Sequence, residues 1–171
     1  AYAKKDWLGV LEIIAQIEIL ANQNQYLLSN FTRDDLAYMK LMASKNSEKL
    51  DLNVVKKLNS GSLDFVLQKS LILSGLNQSK EALKGFEITE LNLGLKGFDI
   101  DALMTYMSGL VELKNWSVLN EKLPECLIIH PEELFFKEIY IQSLFEMKLF
   151  KDLVQFVENY PADFSYNIRF K

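Results

Sequence analysis

Laid on itself so that Tyr106 meets Tyr140, the chain repeats, and this constrains its fold more than any other feature. At that shift Tyr106, Leu110, Glu112, Lys114 and Leu119 fall on Tyr140, Leu144, Glu146, Lys148 and Leu153, five identities in 14 positions. Met107, Leu113 and Trp116 meet Ile141, Met147 and Phe150, residues of like kind. At the same shift Ser74-Gly75-Leu76 meets Ser108-Gly109-Leu110. A period of about 34 residues is that of one helix–turn–helix unit. A single such unit cannot bury both of its faces, so units of this kind stack on their neighbours.

The rest of the sequence is consistent with helices joined by short turns. Only 3 Pro and 7 Gly punctuate 171 residues, which suits helices better than many short strands. Apolar spacing predicts a first helix over Asp6 to Leu28, using Trp7, Leu11, Ile14, Leu20 and Leu27. Thr32 reads as the N-cap of a second, with Asp34 and Asp35 in its first turn and Leu36, Met39, Leu41 and Met42 following. Ser47 opens a third that uses Leu50, Val54, Val55 and Leu58. Asn59-Ser60-Gly61 is a turn, after which Ser62 starts Leu63 to Leu73. Ser79 precedes a helix with Ala82, Leu83, Phe86 and Leu91 that Gly94 ends. Asp99 or Asp101 caps Ala102 to Leu113, and Asn115 opens a helix reaching Ile129. Pro131, beside Glu132 and Glu133, signals a helix start running to about Met147. A last helix spans Lys151 to Tyr160, stopped by Pro161. The expected fold class is all-α, an α-solenoid of stacked antiparallel helical hairpins with about nine helices. Residues 1–171 read as one helical-repeat domain. Residues 1–60 are its irregular helical beginning, 62–161 its hairpins, and 162–171 the start of a further helix or a tail. The Ala at position 1 and the mid-element ending suggest a piece of a longer chain.

Composition narrows the class. Hydrophobic residues make up 49% and charged residues 25%, ordinary for a globular chain. Net charge is −4, with residues 1–85 at +2 and residues 86–171 at −6. Only Arg33 and Arg169 are arginines, a poor supply of phosphate-gripping forks. The single Cys126 leaves no disulfide within the chain, which suggests a reducing compartment. The apolar stretch from Trp7 to Leu20 is broken by Glu12, Gln16 and Glu18, so no membrane span is expected. An intracellular location follows, the cytoplasm first and an organellar matrix as the alternative.

Particular residues carry a family resemblance. Ala82 and Phe86 match the small-then-aromatic pair on the second helix of a tetratricopeptide unit. Trp116, Leu119, Leu123, Cys126 and Pro131 follow that family's spacing, as do Phe150, Leu153, Val157 and Pro161. Residues 80–161 therefore resemble a degenerate tetratricopeptide-like array. Leu stands twice for the usual Ala, Pro161 comes early, and residues 1–60 match poorly. A second likeness lies at Gly97 to Met107 and at Tyr160 to Asn167, which are similar to the unit junction of pentatricopeptide RNA-binding repeats. Such repeats read one base per unit, but here they fall in the acidic half, which repels phosphate.

Chemistry for catalysis is sparse. One His and one Cys cannot build a multi-ligand metal site of those residues, and no metal or other cofactor is expected. Cys126 and His130 stand four apart and could touch on a helix as a nucleophile and base. A small core residue and a helix-end residue are the plainer reading. Asp34-Asp35, Asp99/Asp101 and Glu132-Glu133 sit at helix starts, where N-capping explains them. Gly94-Leu-Lys-Gly97 lacks the flanking spacing of a phosphate loop. Lys40, Lys45, Lys49, Lys56 and Lys57 read as a solvated basic face.

The reading that remains is a non-catalytic scaffold or adaptor. It would bind a protein segment through the first helices of its units, as the tetratricopeptide resemblance implies. Mapped onto this sequence the partner-facing residues are Met104, Ser108, Val111, Glu112, Glu138, Gln142 and Phe145. An acidic, partly apolar strip suits a basic or amphipathic peptide. The rival function is RNA binding by a pentatricopeptide-like module.

Overall fold

A computed structural model describes residues 6–23, 30–46 and 51–160. Among these, nine α-helices and one 3-10 turn follow each other and no strand occurs. They are α1 (Trp7–Gln23), α2 (Asn30–Asn46), α3 (Leu52–Lys57), α4 (Leu63–Gly75) and α5 (Ser79–Leu93). The 3-10 turn (Leu95–Gly97) precedes α6 (Ile100–Glu112), α7 (Trp116–Ile129), α8 (Leu134–Glu146) and α9 (Phe150–Asn159). The all-α class expected from periodicity is therefore what the chain adopts. Ser47 and residues 162–171 lie outside the described residues.

The chain divides into two compact units, residues 1–89 and 90–171. In the first, α1 packs on α2, and both α2 and α3 pack on α4. Its core includes Ile14, Leu41, Val55, Phe65, Leu73 and Phe86. Lys40 bridges to Glu18 at 2.8 Å, so this member of the basic stretch ties α2 to α1. Lys56 similarly reaches Glu81 at 3.2 Å and Gln78 at 3.0 Å. The α4–α5 approach is close: a Cβ on Gly85 would stand 1.9 Å from the Ser70 Oγ, so a side chain there would displace the Ser70 hydroxyl. The buried Ser70 and Thr89 hydroxyls are satisfied by the carbonyls four residues back, Val66 and Gly85.

In the second unit α6 packs on α7, α7 on α8 and α8 on α9, and α6 also packs on α8. Leu103, Tyr106, Met107, Leu110, Leu119 and Leu123 form the centre of its core, with Phe136 and Leu144 from α8. Lys137 is buried too, its ammonium 4.9 Å from the centre of the Tyr160 ring.

One closure recurs where a first helix hands over to a second. Asn77, Lys114 and Lys148 each take a positive φ, 57°, 54° and 60°. Around them the amides of Gln78, Asn115 and Leu149 reach back to the carbonyls of Leu73, Leu110 and Leu144 at 2.8–2.9 Å. The amides of Asn77, Lys114 and Lys148 bond Ser74, Val111 and Phe145 at 2.9–3.0 Å. This is a Schellman closure three times over, built without glycine at the left-handed position. It satisfies carbonyls that a helix end would otherwise leave unpaired.

The closures fix the register. Lys114 and Lys148 are separated by the same shift that lays Tyr106 on Tyr140. Asn77 and Lys114 are separated by three positions more, so Ser74-Gly75-Leu76 is not equivalent to Ser108-Gly109-Leu110. One added position lies in α5, a residue longer than α7, and two lie in the connection that carries the 3-10 turn Leu95–Gly97, which has no counterpart between α7 and α8.

Several caps stand where the sequence places them and several do not. Asp99, not Asp101, caps α6, its Oδ1 accepting from the Ala102 amide at 2.8 Å. Gly94 ends α5 at φ 67°. Asp51 caps α3, accepting from the Asn53 amide at 2.7 Å. Thr32 is not an N-cap, because α2 is already helical from Asn30. Pro131 does not begin α8. It sits in a turn closed by the Glu133 amide on the His130 carbonyl at 3.2 Å, and Glu133 is the cap. Leu91 is 87% exposed rather than core: it lies half a turn of the helix away from buried Ala82.

Candidate functional site

The seven partner-facing residues read from sequence fall on two adjacent helices. Met104, Ser108, Val111 and Glu112 occupy one side of α6, at helical spacing i, i+4, i+7 and i+8. Glu138, Gln142 and Phe145 do the same on α8. Both helices turn other positions inward, Leu103, Met107 and Leu110 on α6 and Phe136, Ile139 and Leu144 on α8. That inward apolar stripe leaves the α8 residues and Glu112 facing out, with Met104, Ser108 and Val111 along its flank. Met104, Ser108 and Val111 are half-buried, while Glu112, Glu138 and Gln142 are exposed. Phe145 is 54% exposed, a large apolar ring held in water.

The strips are in register. At the repeat shift Met104 stands for Glu138, Ser108 for Gln142, Val111 for Phe145 and Glu112 for Glu146. Since α6 packs beside α8, the structure places the two strips on neighbouring helices of one unit. The acidic groups Glu112, Glu138 and Glu146 are distributed over both.

Beneath this surface lies a polar cluster that the sequence reading does not contain. The Tyr106 hydroxyl donates to Glu90 Oε2 at 2.8 Å. The Lys122 ammonium donates to Glu90 Oε1 at 2.5 Å. The Glu90 and Lys122 side chains are both mostly buried. The cluster ties the end of α5 to α6 and α7. No local pattern announces it, because Glu90 and Lys122 are 32 residues apart. The identity of Tyr106 with Tyr140 marks only one of its members.

Cys126 borders this cluster. Burial pushes its thiol up to about 12, and the charges of Glu125 and Glu90 add to the rise. A thiol held so strongly protonated is a poor nucleophile. His130 ends α7, with its amide on the Cys126 carbonyl at 2.8 Å. Its ring stacks at 6.0 Å on Phe136, and its Nε2 is enclosed without a hydrogen-bond partner. No hydrogen bond joins the thiol to the imidazole among the described residues. The same residues hold no group of three or more His, Cys, Asp or Glu suited to a metal ion. No described helix is long and apolar enough to cross a membrane.

Pro124 lies inside α7. It removes the amide that would bond the Asn120 carbonyl. The Asn120 side-chain Oδ1 is itself enclosed and without a partner.

No protein-family model, curated protein or solved structure matches this chain.

Proposed function

We propose that this chain is a non-catalytic scaffold or adaptor that binds a basic or amphipathic protein segment along α6 and α8. The observation that carries the reading is the pair of outward strips in equivalent register on two packed helices. Their mixture of carboxylates with Val111, Met104 and Phe145 suits a ligand carrying both cations and apolar side chains. The tetratricopeptide-like stacking on which the reading rests is supported within residues 90–160 by two hairpins closed in the same way, one repeat apart. Absence of catalysis is supported by the strongly protonated Cys126 thiol and the enclosed His130 Nε2.

The test is a titration of the chain with a Lys-rich amphipathic peptide of about 15 residues, long enough to span two helices. Glu112→Lys with Glu138→Lys is expected to weaken binding by about tenfold or more, since like charges brought together at an interface cost several kcal/mol. Unchanged affinity would sink the assignment. An RNA oligonucleotide bound with a steep salt dependence would favour the pentatricopeptide-like alternative instead.

A further inference from the structure

Among the described residues, hairpin α8–α9 leaves open a helix face whose counterpart in α6–α7 is better covered. At the repeat shift Phe150, Val154 and Val157 of α9 stand where α7 has Trp116, Asn120 and Leu123. In α7 these positions are better enclosed: Leu123 is fully buried, Trp116 is half-buried and the Asn120 Oδ1 is shut away from water. In α9 the equivalent face opens outward, with Phe150 and Val154 both 53% exposed and Val157 half-buried. The inner side of α9 is already used, Phe156 meeting Tyr140 edge-on at 4.9 Å. The uncovered face is also the more apolar of the two at its centre, where Val154 replaces Asn120. Apolar surface of this kind marks an interaction site.

We infer that this face is a self-association site, on which a second copy of the chain lays its own α9 antiparallel across a twofold axis. Charge selects this occupant. Lys151 and Glu158 are seven positions apart and so project only about 20° apart, along one rim of the apolar strip. They are also equidistant from the midpoint between Val154 and Gln155. In an antiparallel pair centred on that midpoint, residues on one rim meet the same rim of the other helix. Lys151 of each copy therefore meets Glu158 of the other, twice by symmetry, while Val154 packs on Val154 and Phe150 on Val157. A self-complementary patch is what a twofold interface requires. A helix of 10 residues, about 15 Å long, makes a small contact, so the dimer is weak, with a dissociation constant of about 10–100 µM. The face adjoins the partner strip at one point, where the Phe150 ring meets Phe145 edge-on at 6.0 Å. Its centre at Val154 lies on a different helix, and the inference does not depend on the proposed adaptor role.

Sedimentation equilibrium of the full chain from about 1 to 300 µM, bracketing that range, tests the inference. A concentration-dependent monomer–dimer equilibrium is expected. Val154→Lys is expected to abolish it, with helix content by circular dichroism unchanged because the site is on the surface. Lys151→Glu and Glu158→Lys are each expected to weaken the dimer by about threefold to tenfold, and their combination to restore it within about twofold, since each single change sets like charges opposite at both symmetric pairs. A monomer throughout the range would overturn the inference, whether residues 161–171 or another protein covers the face. So would a dimer that the charge reversals leave unmoved.

Discussion

Hairpins α6–α7 and α8–α9 share a register, a turn and several identities around it, yet they differ in how well each is sealed. In the first, Leu119 is fully buried and Tyr106 reaches the Glu90–Lys122 pair. In the second, the equivalent Leu153 is only half-buried, and Tyr140 faces Phe156 where Tyr106 has Lys122 for a neighbour. No residue of α9 is fully buried. The sequence repeat therefore sets the local geometry, while the neighbours of each hairpin set its environment. An apolar residue at a repeated position contributes according to whether another helix lies on it.

The comparison breaks most sharply at the shared leucines. Leu119→Ala is expected to cost about 2–5 kcal/mol, as for a fully enclosed leucine, and Leu153→Ala about half as much. Urea denaturation of the two variants checks this, and equal losses would remove the distinction between the hairpins. Next comes the polar cluster. Glu90→Gln is expected to cost about 1–3 kcal/mol, because it strips the charged partner from a mostly buried lysine. On the same scale Tyr106→Phe costs about 1 kcal/mol and the equivalent Tyr140→Phe close to nothing. A double-mutant cycle between Glu90 and Lys122 isolates the pair itself.

The turns sharpen the likeness rather than the difference. Lys114→Gly and Lys148→Gly each relieve a side chain held at positive φ, and each is expected to stabilise by about 0.5–1 kcal/mol. Unequal gains would mean that the two closures are not equivalent in solution. Outside the stability scale, Cys126 is expected to react with a thiol reagent at pH 8 at least about a hundredfold more slowly than a free cysteine, because its thiolate is scarce. Labelling as fast as in the unfolded chain would contradict the burial that separates α7 from α9.

Much of this architecture is legible locally. Asp99, Gly94 and Asn115 mark boundaries because caps and turns are decided by a few neighbouring residues. Periodicity likewise finds the α6 and α8 core stripes and the outward strips beside them. What stays hidden depends on distant partners or on three-dimensional register. Pro131 mimics a helix start, since proline suits both a first helical turn and the loop before a cap. Leu91 is apolar, but it lies half a turn round the helix from Ala82 and so faces out; residue type misleads there where spacing does not. The Glu90–Lys122 pair joins residues too far apart for any spacing rule. The register of the α4–α5 hairpin misleads by three positions, because a chance Ser-Gly-Leu repeat hides a longer α5 and a longer connection after it. The outward strips share that limit: the sequence places their residues, and their use by a partner is a matter for binding experiments.

Native-state hydrogen exchange, run below about 1 µM so that self-association is negligible, compares α7 with α9 most directly. If the helices are equivalent units that differ in cover, the Leu119–Leu127 amides open with a free energy about 2 kcal/mol above those of Leu153–Asn159. Equal protection in the two segments would contradict the account.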